Sequence, residues 1–161
     1  MANLTISIRE SIDLGNGRER TNITTVIPDI NQVTRRVDTI SNVSDDEDAI
    51  EIITFSADEN SQTAGSFVRT DVKYIRITNL DETNDVDVYI VPDLDNNIIY
   101  TVGPKRTLIL ASATSRVDDF SDYVDNDYVE NTFFVNITEL LSIKAKAMNA
   151  PSQVEYFVAS T

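Results

Sequence analysis

Hydrophobic residues along this chain recur at every second position far more often than at every third or fourth. Leu4, Ile6, Ile8, Ile12 and Leu14 fall on one parity, interrupted by Glu10, and after Gly15-Asn16-Gly17 the run Thr21, Ile23, Thr25, Ile27 alternates again. A period of two puts every apolar position on one face of a strand. Asn-Gly between two such runs tolerates the positive φ of the primed turns, so residues 4–27 read as an N-terminal hairpin.

The same pattern continues beyond it. Ile30, Val33, Val37 and Ile40 also fit helical spacing, but good helix formers are few there, and a strand over 33–43 with Val33, Arg35, Val37, Thr39, Ser41 and Val43 on one face is preferred. An acidic tip, Asp45-Asp46-Glu47-Asp48, precedes a short strand over 49–55 with some two-sided burial, and the small polar residues of 56–69 read as a loop. Further strands are expected over 72–79, 86–91, 98–102 and 107–110, the last two joined by Gly103-Pro104-Lys105-Arg106, where proline has no N–H to give a ladder. Residues 115–130, acidic and aromatic, are the best place for one short helix. The runs 141–148 and 154–158, separated by Asn149-Ala150-Pro151-Ser152, read as a closing hairpin.

Composition turns this pattern into a fold class. Val, Ile and Thr supply 51 of 161 residues against 8 Leu and 10 Ala, and branching at Cβ suits a pleated surface better than a helix. About nine short strands without βαβ alternation or a dividing linker predict an all-β chain: one antiparallel β-sandwich, jelly-roll-like, over 1–161. The arrangement reconciles acidity with folding, because each strand hides its apolar parity between the sheets and turns Asp, Glu, Thr and Asn outward.

The formal charge is -14, with 27 acidic residues against 13 Lys and Arg, and such a surface repels nucleic acid. With no His, Cys or Trp, imidazole triads, thiolate metal sites and disulfide scaffolds are excluded, leaving carboxylates, hydroxyls, four Lys and nine Arg. No apolar run reaches the roughly 20 residues that span a bilayer, and the opening residues lack the basic-then-apolar order of an export signal. No cofactor, no small-molecule substrate, no membrane and no nucleic-acid partner is expected.

Candidate chemistry is correspondingly thin. Asp93-Leu94-Asp95-Asn96-Asn97 opens like a calcium loop, but Ile98 stands where that loop needs glycine and Pro104 where it needs a closing glutamate. The acidic groups at 45–48 and 118–127 read as solvated loop tips. Carboxylate pairs for glycoside hydrolysis have no privileged spacing among 18 Asp and 9 Glu, and no nucleophile elbow is present, so no catalytic residue is assigned. Lys144 and Lys146 alternate with Ile143, Ala145 and Ala147, the outward face of a half-buried strand; they read as lysines blunting a sheet edge, or as partners for an acidic neighbouring subunit. The residues expected to make subunit contacts are Leu4, Ile6, Ile8, Arg35, Arg36, Lys144 and Lys146, with Tyr123, Tyr128, Phe133 and Phe134 as aromatic candidates more easily explained by core burial.

Three stretches carry a resemblance: Asp71-Val72-Lys73-Tyr74-Ile75-Arg76-Ile77-Thr78-Asn79-Leu80-Asp81, the turn Gly103-Pro104-Lys105 before Leu108-Ile109-Leu110, and the ending Ser142-Ile143-Lys144-Ala145-Lys146-Ala147 through Val154-Glu155-Tyr156-Phe157-Val158-Ala159-Ser160-Thr161. Over residues 52–161 the chain resembles small all-β virion structural proteins of tailed phages, notably those of cyanobacteria and marine bacteria. The resemblance implies a non-enzymatic part of the particle: a capsid cement or decoration protein made in the host cytoplasm and seated on the shell, or a tail, adaptor or fibre-attachment component. It implies as partners the major capsid protein and copies of the chain itself, a trimer among the arrangements. No functional residue carries over singly, because the matching positions are strand framework and a turn. A glycan-binding sandwich is the rival from another class, disfavoured by the absence of Trp and of a closed calcium loop.

Overall fold

A computed structural model describes residues 2–13, 15, 18–92, 97–111, 137 and 140–161. They form eleven strands and two single-turn 3-10 helices. β1 (Ala2–Asp13) and β2 (Arg18–Ile30) make the expected hairpin, longer at both ends than the sequence pattern indicated, as a separate two-stranded sheet. Gly15 holds φ at 79°, the left-handed conformation that its missing Cβ permits.

The other nine strands build a sandwich. They are β3 (Gln32–Ile40), β4 (Ile50–Ser56), β5 (Phe67–Val68), β6 (Val72–Asn79), β7 (Val86–Val91), β8 (Ile98–Val102), β9 (Thr107–Ala111), β10 (Ser142–Ala147) and β11 (Ser152–Ser160). One sheet has the order β5-β4-β10-β7-β8 and the other β3-β11-β6-β9. All ladders are antiparallel except β4–β5, which the link over 57–66, holding the second 3-10 turn, returns in parallel. The all-β sandwich read from the sequence is therefore the observed architecture, and β3 takes the strand rather than the helical option.

The core lies between the sheets. Val86, Val88 and Ile90 of β7 and Ile143, Ala145 and Ala147 of β10 meet Ile75 and Ile77 of β6 and Val154, Tyr156 and Val158 of β11, all buried. Buried Asn79 ties the layers at one edge. Its amide donates to Val102 O of β8 at 2.9 Å and Asn84 O at 2.7 Å, while its Oδ1 accepts from Asp81 N at 3.0 Å.

Three expectations need correction. Residues 142–147 and 152–160 are not a hairpin: β10 and β11 lie in opposite sheets, with Ile143 and Ala145 facing Val154 and Tyr156 across the core. The four-residue link 148–151 spans up to about 14 Å when extended, enough to cross the ~10 Å between sheets, and alternation looks the same in either geometry. β10 is also the middle strand of its sheet, so Lys144 and Lys146 blunt no edge. Finally, 56–69 is not all loop, since Phe67–Val68 pair with β4. The helix expected over 115–130 and the calcium-like loop at 93–97 fall wholly or largely outside the described residues.

Core and arm should respond differently to truncation. Ile143→Ala, at a fully buried position, should lower unfolding free energy by about 2–5 kcal/mol, whereas Ile23→Ala, 52% exposed on the arm, should stay within about 1 kcal/mol by urea titration.

Candidate functional site

Two surfaces concentrate the chemistry left over after folding: the hairpin arm with the sheet face it rests on, and the opposite outer face under the acidic turn. In the arm's ladder Leu4 lies opposite Ile27, Ile6 opposite Thr25, Ile8 opposite Ile23, Glu10 opposite Thr21 and Ile12 opposite Glu19. Directly opposed residues share a face, so these ten form one side, apolar but for Glu10, Glu19, Thr21 and Thr25. The base of that side packs on the outer face of the four-stranded sheet, Leu4, Ile6 and Ile27 lying against Ile30, Tyr74, Phe157 and Ala159. Beyond the base it is open: Ile8 is 44% exposed, and Ile12 and Ile23 are each 52% exposed. The other side of the arm carries Thr5, Ser7, Arg9 and Ser11 beside Val26, Thr24, Asn22 and Arg20.

On the sheet face beneath, register sets the residues in rows. Val33, Ala159 and Tyr74 form one row, Arg35, Phe157, Arg76 and Ile109 the next, and Val37, Glu155, Thr78 and Thr107 the third. Glu155 is buried between two guanidiniums. Arg35 Nε donates to its Oε2 at 2.6 Å and Arg76 to its Oε1 at 2.5 Å, and Arg76 also lies 5.4 Å from the centroid of the Phe157 ring. Burial pushes the Glu155 carboxyl up, but the hydrogen bonds from Arg35 and Arg76 outweigh it and hold it below its ordinary value. Two cations for one anion leave this patch with a surplus of positive charge.

The opposite outer face carries a second cluster. Asp46, in the 3-10 turn Asp46–Asp48, folds over the five-stranded sheet and accepts hydrogen bonds from Lys146 Nζ and, at 2.7 Å, from Tyr89 Oη. Lys146 draws the Asp46 carboxyl below its usual range, with Tyr89 assisting, while Asp46 raises the ammonium of Lys146. Burial, then the hydrogen bond to Asp46, raises Tyr89. Asp87, opposite Lys146 in the ladder, accepts from Thr101 Oγ1 at 2.6 Å. In the loop after β6, backbone N–H groups of Thr83 and Asn84 hold Asp81 down to about 2.

The expected contact residues are thus dispersed. Leu4 and Ile6 are half-buried in the arm's base, and Ile8 stands free above them. Arg35 is engaged by Glu155. Arg36, on the opposite side of the edge strand β3, lines a polar groove of about 510 Å³ with Gln32, Thr34, Gln62, Thr63 and Ser66. Lys146 spends its charge on Asp46 of its own chain, and half-buried Lys144 sits between Tyr89 and Glu51 in the ladder. The tip 45–48 is accordingly not wholly given to solvent. Tyr123, Tyr128, Phe133, Phe134 and residues 118–127 lie outside the described residues. Among the described residues no three acidic side chains converge as a metal site.

The Glu155 clamp went unrecognised in the sequence, although a signal was there. Glu155 interrupts Val154–Val158, otherwise apolar, and a lone charge in such a run demands a partner. No protein-family model, curated protein or solved structure matches the chain.

Both clusters should make stability depend on pH. Glu155 and Asp46 have folded values below their ordinary 4.5 and 3.8, so their contribution is complete above those values and is lost as pH falls through the lower folded ones. Lys146 and Tyr89 are raised above 10.5 and 10.0, so theirs is complete below those values and is lost as pH rises through the folded ones. In urea titrations, Glu155→Gln should flatten the acid limb and cost about 1–3 kcal/mol near neutrality. Lys146→Met should flatten the alkaline limb.

Proposed function

We propose that the chain is a non-enzymatic structural protein of a phage particle, a cement or decoration protein that binds the shell at junctions between major capsid subunits. The observation that carries an assembly role is the arm, a hairpin of two strands of 12 and 13 residues whose apolar side, among the described residues, is packed only at its base. Exposed large apolar residues aligned on one face favour a protein contact over solvent. The likeness of residues 71–81, 103–110 and 142–161 to virion proteins supplies the setting. Three of the described carboxylates serve the fold: Glu155 is held by two arginines, Asp46 by Lys146 and Tyr89, and Asp81 by backbone N–H groups.

Copy number tests this reading. Quantitative gel analysis of purified particles of the phage whose genome carries the chain should show on the order of hundreds of copies, as repeated shell sites require. About a dozen or fewer would replace the shell assignment with a tail or adaptor role. Absence from the particle would overturn both. The polar groove beside Arg36 favours a second reading, a glycan-binding module, and specific binding on a glycan array abolished by Arg36→Ala would support it.

A further inference from the structure

We propose that the arm of one copy docks, through its open apolar side, onto the outer face of the four-stranded sheet of a second copy. The contact joins Ile8, Ile12 and Ile23 to Val33, Val37 and Ile109. Three observations converge on a copy of this chain as the occupant.

The first is continuity. The proximal part of the same arm side already rests on this sheet face, against Tyr74, Phe157 and Ala159, so the face is suited to this hairpin surface. The chain's own arm leaves the margins of this face exposed: Val33 (53%) and Val37 (50%) on edge strand β3 and Ile109 (41%) on edge strand β9. Among the described residues, exposed apolar side chains on the arm and on the sheet face therefore flank one existing contact.

The second is local charge. The arm's apolar side bears Glu10 and Glu19 as its only charges. The sheet patch holds two guanidiniums against the single carboxylate of Glu155, and Arg35 is still 67% exposed. Acid meets surplus cation as the apolar residues meet.

The third is the distribution of charge over the whole chain. Residues 2–30 hold three of the 13 cations and four of the 27 acids, so the arm carries -1 and the remainder -13. Two bodies of that charge repel face to face, and a nearly neutral arm is the part that can approach a second body at little electrostatic cost. Because donor and acceptor surfaces differ, the contact is heterologous and builds a ring if the rotation closes.

The inference deepens the reading of the arm as an assembly element but is tested without the particle. Sedimentation of the full chain between about 10 µM and 1 mM should show concentration-dependent association. Ile23→Asp on the arm and Ile109→Asp on the patch, each shown to fold by its thermal transition, should each weaken it roughly tenfold or more. Val37→Ser, a milder patch variant, should act in the same direction. Mixing the Ile23→Asp and Ile109→Asp proteins should restore a one-to-one complex, because one supplies an intact patch and the other an intact arm. A wild-type monomer over the whole range overturns the proposal. So does full association of the Ile109→Asp and Val37→Ser proteins, which would mean that arms pair with arms. Abundant copies on particles of a chain that is monomeric in solution would leave the shell assignment standing and remove this one.

Discussion

A β-strand with a period of two has one face to hide, and hiding it takes a second layer. The nine strands of the sandwich meet that demand reciprocally: the inward parity of β7 and β10 is covered by that of β6 and β11. Each fully buried Ile or Val gains about 1.5–3 kcal/mol over an exposed one, so the layers hold each other in register. β1 and β2 obey the same pattern but, among the described residues, have an opposing layer only at their root. Their distal apolar residues are a remainder of the folding scheme, and a functional account of the molecule has to begin with them.

Charge plays a fastening part that the net value of -14 conceals. Glu155 draws Arg35 and Arg76 together across three strands, and Asp46 anchors the connection between β3 and β4 to the middle of the five-stranded sheet. Each pair lies on an outer face, where some water remains to soften the desolvation of the ions. The acidic surplus repels like charge and so biases which surfaces of two molecules can approach.

Fold class and most strand positions were legible because period-two alternation and Cβ branching are local properties. Partnership between strands was not. The alternation at 142–147 and 152–160 is the same whether the two pair in one sheet or face each other between two, and only the tertiary arrangement decides. Lys146 shows the same limit, since its outward parity was evident but its partner, Asp46, lies 100 positions away. On the candidate surface, Leu4, Ile6, Ile8 and Arg35 were among the residues the sequence offered as contacts. Val33, Val37 and Ile109 were not, because nothing in their local pattern distinguishes an outer face left bare from one that is covered.

The root of the arm has a consequence for biosynthesis. The hairpin joins residues close in sequence and can form within about 1–10 µs, but a lone two-stranded sheet is marginal in water. Phe157 and Ala159, which steady its base, belong to β11, well over a hundred residues further along the chain. At roughly 5–20 residues per second, the nascent arm waits on the order of ten seconds for its seat to emerge from the ribosome. During that interval its apolar side is at its most exposed, and the arm, at -1, is followed out by a chain that carries the other -13.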